Sequence, residues 1–261
     1  MGEDGPRRPV EASRRLNVLQ GNETTLPGSG PAADSSDEPR RRALYGRSRG
    51  KTLRQYHARL MREALPQIEV GASDFAEPAA LFPFSPREIW LEIGFGGGEH
   101  LLGQAAAHAD IGFIGCEPFV NGVAKLLAGI DEQGLSNVRI HSGDAGALIA
   151  AMPAELLSRV TCLYPDPWPK RRHNKRRIIS PELVAALARV IRPGGEMRFA
   201  TDIDDYCGWT LQRFLNSAGL SWQAGEAIDW REPWPDWRPT RYEQKARREG
   251  RTSSYLTFLR V

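Results

Sequence analysis

From Glu88 onward, short apolar runs bounded by glycine or aspartate alternate with stretches whose apolar residues recur three and four positions apart. The first rhythm suits a buried strand and the second an amphipathic helix. EIWLEIG (88–94) predicts a first strand and GEHLLGQAAAH (98–108) its helix; GFIGCE (112–117) predicts a second strand, before a helix with Phe119, Val123, Leu126, Leu127 and Ile130 inward. NVRIHSGD (137–144) predicts a third strand and RVTCLYPD (159–166) a fourth, followed by a helix carrying Leu183, Leu187, Val190 and Ile191. GEMRFATD (195–202) predicts a fifth strand, a helix with Trp209 and Phe214 comes next, and LSWQA and YLTFLRV predict final strands near 220–224 and 255–261. Upstream, Leu53, Tyr56, Leu60, Met61 and Leu65 share one helical face that ends near Pro66. Strands alternating with helices imply an α/β domain with a parallel sheet covered on both faces, its ligand site at the carboxyl ends of the strands.

Residues 1–48 break this pattern. Their Pro, Gly, Ser and mixed charge predict a disordered tail, leaving 49–261 as the folded domain. Arg40, Arg41, Arg42, Arg47 and Arg49 in or beside that tail are read either as RNA contacts or as a solvated basic stretch. Across all 261 residues, 35 Lys and Arg oppose 32 Asp and Glu, so the distribution of charge matters more than its sum. Three widely spaced cysteines form no CxxC pair, so neither a disulfide framework nor a zinc site is indicated, and a reducing compartment is the natural reading. No apolar run approaches the roughly 18 residues of a membrane span, and the expected location is cytoplasmic.

The first strand ends in Glu92-Ile93-Gly94-Phe95-Gly96-Gly97-Gly98-Glu99. Glycines here let the backbone turn tightly and approach a ligand. A dinucleotide site would want glycine at position 99, where Glu99 instead sets an anion at the helix start, which argues against NAD. An acid leading the loop suits the ammonium and sulfonium of S-adenosyl-L-methionine. Glu117, closing the second strand, is placed to accept from both ribose hydroxyls, and Asp144, closing the third, from the adenine amino group.

After the fourth strand comes Tyr164-Pro165-Asp166-Pro167-Trp168-Pro169-Lys170, then a dense run of cations around His173. The prolines predict a stiff loop with each preceding residue extended. On that loop Asp166 accepts from a guanine edge while Trp168 offers a stacking face. The six Lys and Arg within 170–177 form the strongest basic cluster of the chain and predict salt-sensitive phosphate binding. No second ligand is spaced to make His173 a metal site. Asp202 reads equally as a helix N-cap, the Arg-rich stretch 238–251 as a loop that clamps substrate, and Trp230, Trp234 and Trp237 as packing residues.

The run YPDPWPKRRHNKRR resembles the FPDPWPKxRHxKRR signature of the bacterial tRNA (guanine-N7)-methyltransferase family, with Tyr164 where the family has Phe. LEIGFGGGEH, GCEPFVNGVAKLL, ATDIDDYCGWTL and RPTRYEQKARREG match further family blocks in order, so the resemblance spans roughly residues 40 to 261. It implies a Rossmann-like class I methyltransferase fold with seven strands, mostly parallel, and an antiparallel C-terminal strand. It implies methyl transfer from S-adenosyl-L-methionine to N7 of a guanosine in the tRNA variable loop, with no metal required. It places Glu92, Gly94, Gly96, Glu117, Asp144 and Asp166 at the cofactor, with Asp166 also at the reaction centre. Lys170, Asp202, Thr240, Arg241, Tyr242 and Glu243 fall to the tRNA, although Ile203 and Tyr242 depart from the family's residues. Monomer and homodimer both remain open, as do another substrate on the same fold, a non-catalytic RNA-binding scaffold and, last, a dehydrogenase.

Overall fold

A computed structural model describes residues 48–261; of the tail read from the sequence, residues 1–47 lie outside the described residues. Helix α1 (Gln55–Glu63) and a short turn α2 (Leu65–Ile68), with Pro66 in its first turn, lead into the sheet. The predicted alternation follows as β1 (Glu88–Ile93), α3 (Glu99–Ala107), β2 (Ile111–Cys116), α4 (Val120–Gln133), β3 (Val138–His141), α5 (Ala145–Ala151) and β4 (Leu157–Leu163). Then come α6 (Pro181–Val190), β5 (Ile191–Thr201), α7 (Asp204–Leu215), β6 (Leu220–Trp222), α8 (Ile228–Arg231), α9 (Arg241–Arg248) and β7 (Ser254–Arg260). Ile191 opens β5 rather than closing α6, because Pro193 cannot continue a helical ladder.

The sheet order is β3-β2-β1-β4-β5-β7-β6. Strands β1 to β5 pair in parallel, whereas β7 runs antiparallel to both β5 and β6, as the resemblance implied. Strand order reverses between β1 and β4, and a doubly wound sheet opens its crevice at that switch point. Side chains alternate across β1. Ile89, Leu91 and Ile93 join the core beneath α5, α6 and α7, while Trp90 joins the core beneath α1, α3 and α4, which Phe95 of the following loop also enters. Burying each such side chain contributes about 1.5–3 kcal/mol.

Asn137, only 3% exposed, ties one corner of the parallel sheet. Its Nδ2 donates to the carbonyls of Ala105 (3.0 Å), His108 (3.0 Å) and Ile111 (3.1 Å), closing the turn between α3 and β2. The His108 carbonyl also accepts from the Ile111 amide (3.2 Å), but truncation would still take a donor from buried oxygens, at a cost of about 1–3 kcal/mol. Asn137→Ala is therefore expected to lower the urea midpoint by that order with an unchanged denaturant slope; an unchanged midpoint would show that these carbonyls find other donors.

Candidate active site

The loop after β1 turns on glycines in the left-handed region, with φ of +73° at Gly94, +59° at Gly96 and +81° at Gly98. Such angles cost an L side chain steric strain and cost glycine none. Glu117, the residue after β2, braces this loop. Its carboxylate accepts from the Gly96 amide at 2.7 Å and from the Phe119 amide at 3.0 Å, joining the glycine loop to the entry of α4. Burial pushes the Glu117 pKa up, the Phe119 and Gly96 amides oppose that, the carboxylate of Asp166 adds to it and Arg241 draws it down. The loops after β1, β2 and β4 share one space, since Gly94, Gly96, Glu117 and Asp166 line the same cleft.

The cleft between them measures about 970 Å³. Gly94, Gly96, Glu117, Asp144 and Asp166 line it, and so do Arg241 and Tyr242. Asp144 caps α5, its side chain accepting from the Gly146 amide at 2.9 Å. Arg241 and Tyr242 approach Gly96 from above, and Arg241 also lies 3.5 Å from the Glu99 carboxylate.

The Tyr164–Lys170 loop corrects the sequence reading. Tyr164 and Trp168 precede prolines and were expected to be extended, yet their φ values are +49° and +44°. Tertiary contacts override the local preference. The Tyr164 amide donates to the Ala200 carbonyl (2.8 Å) and its hydroxyl to Ser253 Oγ (2.8 Å). The Trp168 ring carries the Arg176 guanidinium 4.9 Å from its centroid and meets His173 edge-on at 6.1 Å. Asp166 between them is exposed to the cleft, and Lys170 is exposed at the end of the loop. Desolvation, then Arg176, Arg172, Lys170 and Lys175, keep the His173 pKa below the ordinary imidazole value.

Other candidates stand behind the cleft. Glu92 points to the opposite face of β1 from Ile93, beneath α3, where its carboxylate pairs with His100 Nδ1 at 2.7 Å, both groups buried. Asp202 does not cap α7, whose N-cap is Ile203; it accepts from Arg251 Nε at 2.6 Å. The segment expected as a clamping loop contains helix α9, capped by Thr240, which accepts from the Glu243 amide. Glu243 is fully buried and accepts from Trp237 Nε1 (2.8 Å), the Tyr255 hydroxyl (2.7 Å) and Arg247. Trp234 and Trp237 pack with Tyr164 and Tyr255, in keeping with their expected packing role. Asp236 holds this segment to the sheet through Arg159 and Arg198, each at 2.6 Å.

One lip of the cleft escaped sequence reasoning. Ser48–Lys51 crosses it, with the Gly50 amide donating to Asn121 Oδ1 (2.7 Å) and Asn121 Nδ2 donating back to the Lys51 carbonyl (2.7 Å). No local motif marks that pairing, since its partners lie about 70 residues apart.

Residues 86–256 match the family model described as "Putative methyltransferase". A tRNA (guanine-N(7)-)-methyltransferase of Nitrobacter hamburgensis is 48% identical over 235 residues, covering 88% of this chain and 92% of that protein. One from Ruegeria pomeroyi is 49% identical, covering 86% of this chain and 97% of that protein. This chain belongs to the tRNA (guanine-N(7)-)-methyltransferase family. Among solved structures, the 16S rRNA methyltransferase KamB aligns at a TM-score of 0.50 with 15% identity, over 73% of this chain and 94% of that one. An antibiotic-related methyltransferase aligns at 0.50 with 13% identity, over 74% of this chain and 95% of that one. At such identities the likeness concerns the class I methyltransferase fold alone. Among the described residues no helix is long and apolar enough to cross a membrane, and no cluster of three or more His, Cys, Asp or Glu is placed to hold a metal.

The family's glycine loop has its tightest neighbour in Gly122 of α4, where an added Cβ would land on the Gly96 carbonyl oxygen and press the Glu117 Cγ at 3.2 Å. Gly122→Ala should therefore displace the loop and weaken binding of S-adenosylhomocysteine by calorimetry, with far-UV dichroism unchanged. Wild-type affinity would mean that the loop has slack which the structure does not show.

Proposed function

We propose that this chain transfers a methyl group from S-adenosyl-L-methionine to N7 of a guanosine in the variable loop of tRNA. The observation that carries this reading is the convergence of Glu117, Asp144 and Asp166 in one cleft bordered by a cationic segment. Its support in kind is the family membership of the chain.

The cleft fits the donor. A carboxylate offers about four lone-pair sites, and backbone amides take two of Glu117's, leaving capacity for two vicinal ribose hydroxyls. Asp144 spends one oxygen on Gly146 and keeps the other for an exocyclic amino group. Gly94 and Gly96 let the donor approach the backbone without a side chain between them. When bound, S-adenosyl-L-methionine supplies a methyl group made electrophilic by its sulfonium.

Guanine N7 carries a free lone pair, so no base need remove a proton before transfer. The protein's work is orientation, worth up to about 7–11 kcal/mol when the reacting atoms are aligned. Asp166 fixes the guanine edge and stabilises the positive charge that develops on its imidazole ring. Trp168 offers a ring beside it, and Lys170 leads the cations that meet the phosphates. Arg241 and Tyr242 reach the substrate from α9. Glu92, through His100, supports the glycine loop from below; Asp202, through Arg251, and Thr240 and Glu243, by holding α9, set the position of the residues that touch tRNA.

Nucleoside mass spectrometry of undermethylated tRNA after incubation with protein and labelled donor should show 7-methylguanosine, located by N7-specific strand cleavage in the variable loop. Asp166→Ala is expected to cut kcat roughly 100-fold or more while tRNA affinity stays near wild type. Methylation of another atom, or a parallel loss of binding, would refute the assignment.

The raised Glu117 pKa gives a pH signature. The folded chain holds a proton where the unfolded chain does not, so the ligand-free protein loses stability as pH rises from the ordinary glutamate value of 4.5 through the raised one. A hydroxyl-bearing ligand needs the carboxylate, so its affinity is full above the raised pKa and falls as pH drops through it. S-adenosylhomocysteine titrations across this range should show the step in wild type and lose it in Glu117→Gln; an identical pH profile for both would remove Glu117 from the ribose contact.

A further inference from the structure

Six cations lie between Lys170 and Arg177, but they do not share one environment. Lys170, Arg171, Arg172 and Lys175 are exposed, whereas the Arg177 side chain is wholly buried. Its Nε donates to the Pro167 carbonyl at 2.8 Å, and its Nη2 donates to the Asp205 carboxylate at the start of α7. The guanidinium plane lies 4.8 Å from the Tyr206 ring centroid and 5.0 Å from that of Trp209. A charge so placed cannot reach an RNA phosphate. Burying it costs several kcal/mol before its partners repay any of that, so its position asks for a reason other than attraction of nucleic acid.

Pro167 supplies one. Pro165, Pro167 and Pro169 remove three amide donors from the seven residues Tyr164–Lys170, so apart from the Tyr164 amide on the Ala200 carbonyl little N–H pairing of its own can hold it. Carbonyl oxygens remain as the handles, and the Pro167 carbonyl lies in the peptide that joins Asp166's neighbour to Trp168. Fixing that oxygen fixes the peptide plane on which Trp168 takes its left-handed φ of +44°, two residues beyond Asp166. The same guanidinium grips Asp205 on α7, next to the turn that carries Asp202. Arginine suits this position because its planar fork serves a carbonyl and a carboxylate at once while its face rests on aromatic rings; lysine offers only a point charge.

We propose that Arg177 is a positioning residue for methyl transfer, which sets the Asp166 loop against α7 and takes no part in the phosphate-binding patch beside it. This rests on the role of Asp166 in the proposed reaction, and two readouts keep the two ideas separable. Hydrogen–deuterium exchange of the ligand-free protein reports the loop without any turnover. Steady-state methylation and the salt dependence of tRNA binding report its function.

In Arg177→Lys and Arg177→Gln, exchange across 164–170, read chiefly at the Tyr164 amide that pairs with the Ala200 carbonyl, should rise about tenfold, the loss of about one hydrogen bond's protection, with the distant strands β2 and β3 unchanged. The kcat should fall by a similar factor while the KM for tRNA holds. The slope of log Kd against log salt should stay at its wild-type value in Arg177→Gln, whereas Lys170→Ala should make it shallower by about one. A shallower slope in Arg177→Gln would make Arg177 a phosphate ligand and overturn the proposal, as would unchanged exchange at 164–170 in Arg177→Lys. Exchange that rises throughout the sheet would make it a general stability residue and overturn it equally. If Arg177→Gln does not fold, Arg177→Lys carries the exchange and kcat tests, with Asp205→Asn expected to loosen the same peptide. Failure of wild-type protein to methylate tRNA, with the loop still loosened in the variants, would reject the functional reading and leave the loop anchor standing.

Discussion

Ile93 pairs with Cys116 on one side and Cys162 on the other, so that β1, β2 and β4 end level at the point where strand order reverses. This register is the constraint on which the site depends. Glu117 follows Cys116 directly, the glycine loop follows Ile93, and Asp166 stands four residues beyond Cys162. Shifting any of these strands by one residue would turn its side chains to the opposite face and separate the acids. The large apolar cores on both faces of the sheet resist that slip, so packing energy far from the cleft is what holds its carboxylates together.

The cleft itself is an electrostatic compromise. Acids gather inside it, with Glu117 partly desolvated and felt by Asp166, while cations from 170–176 and from α9 surround it. A cationic donor and a polyanionic substrate call for this arrangement, negative within and positive around. Arg241 touches both regions, close to Glu99 and drawing down the Glu117 pKa. The rigid parts bear on the reacting groups: the proline loop, α9 under its Thr240 cap, and Asp236 held by two arginines. Catalysis by orientation requires stiffness there more than it requires reactive side chains.

The alternation of apolar runs disclosed the strands and helices because each element's period repeats over several residues, and the acids at strand ends disclosed Glu117 and Asp144 because a parallel sheet always presents those positions to one edge. Other features needed the tertiary structure. Whether Glu92 turns toward the cleft or toward His100 depends on which face of β1 meets α3, and both sides read as apolar. The positive φ values of Tyr164 and Trp168 oppose what prolines favour locally and exist because Ala200, Ser253 and the Arg176 guanidinium hold them. Arg177 looked like one more cation in a basic run until its burial separated it. Helix α9 was legible in principle, since Thr240-Arg241-Tyr242-Glu243 has the spacing of a helix-capping sequence, but its density of charge suggested a loop.

A crystal structure of the protein with S-adenosylhomocysteine and a guanosine-bearing RNA fragment tests the shared cleft most directly. The account predicts both ribose hydroxyls on the Glu117 carboxylate, the thioether sulfur facing the side of the cleft that bears Asp166, and the guanine beside Asp166 with N7 turned to that sulfur. A nucleoside bound away from the Gly94–Gly98 loop, or a guanine held on the far side of α9 from Asp166, would contradict it.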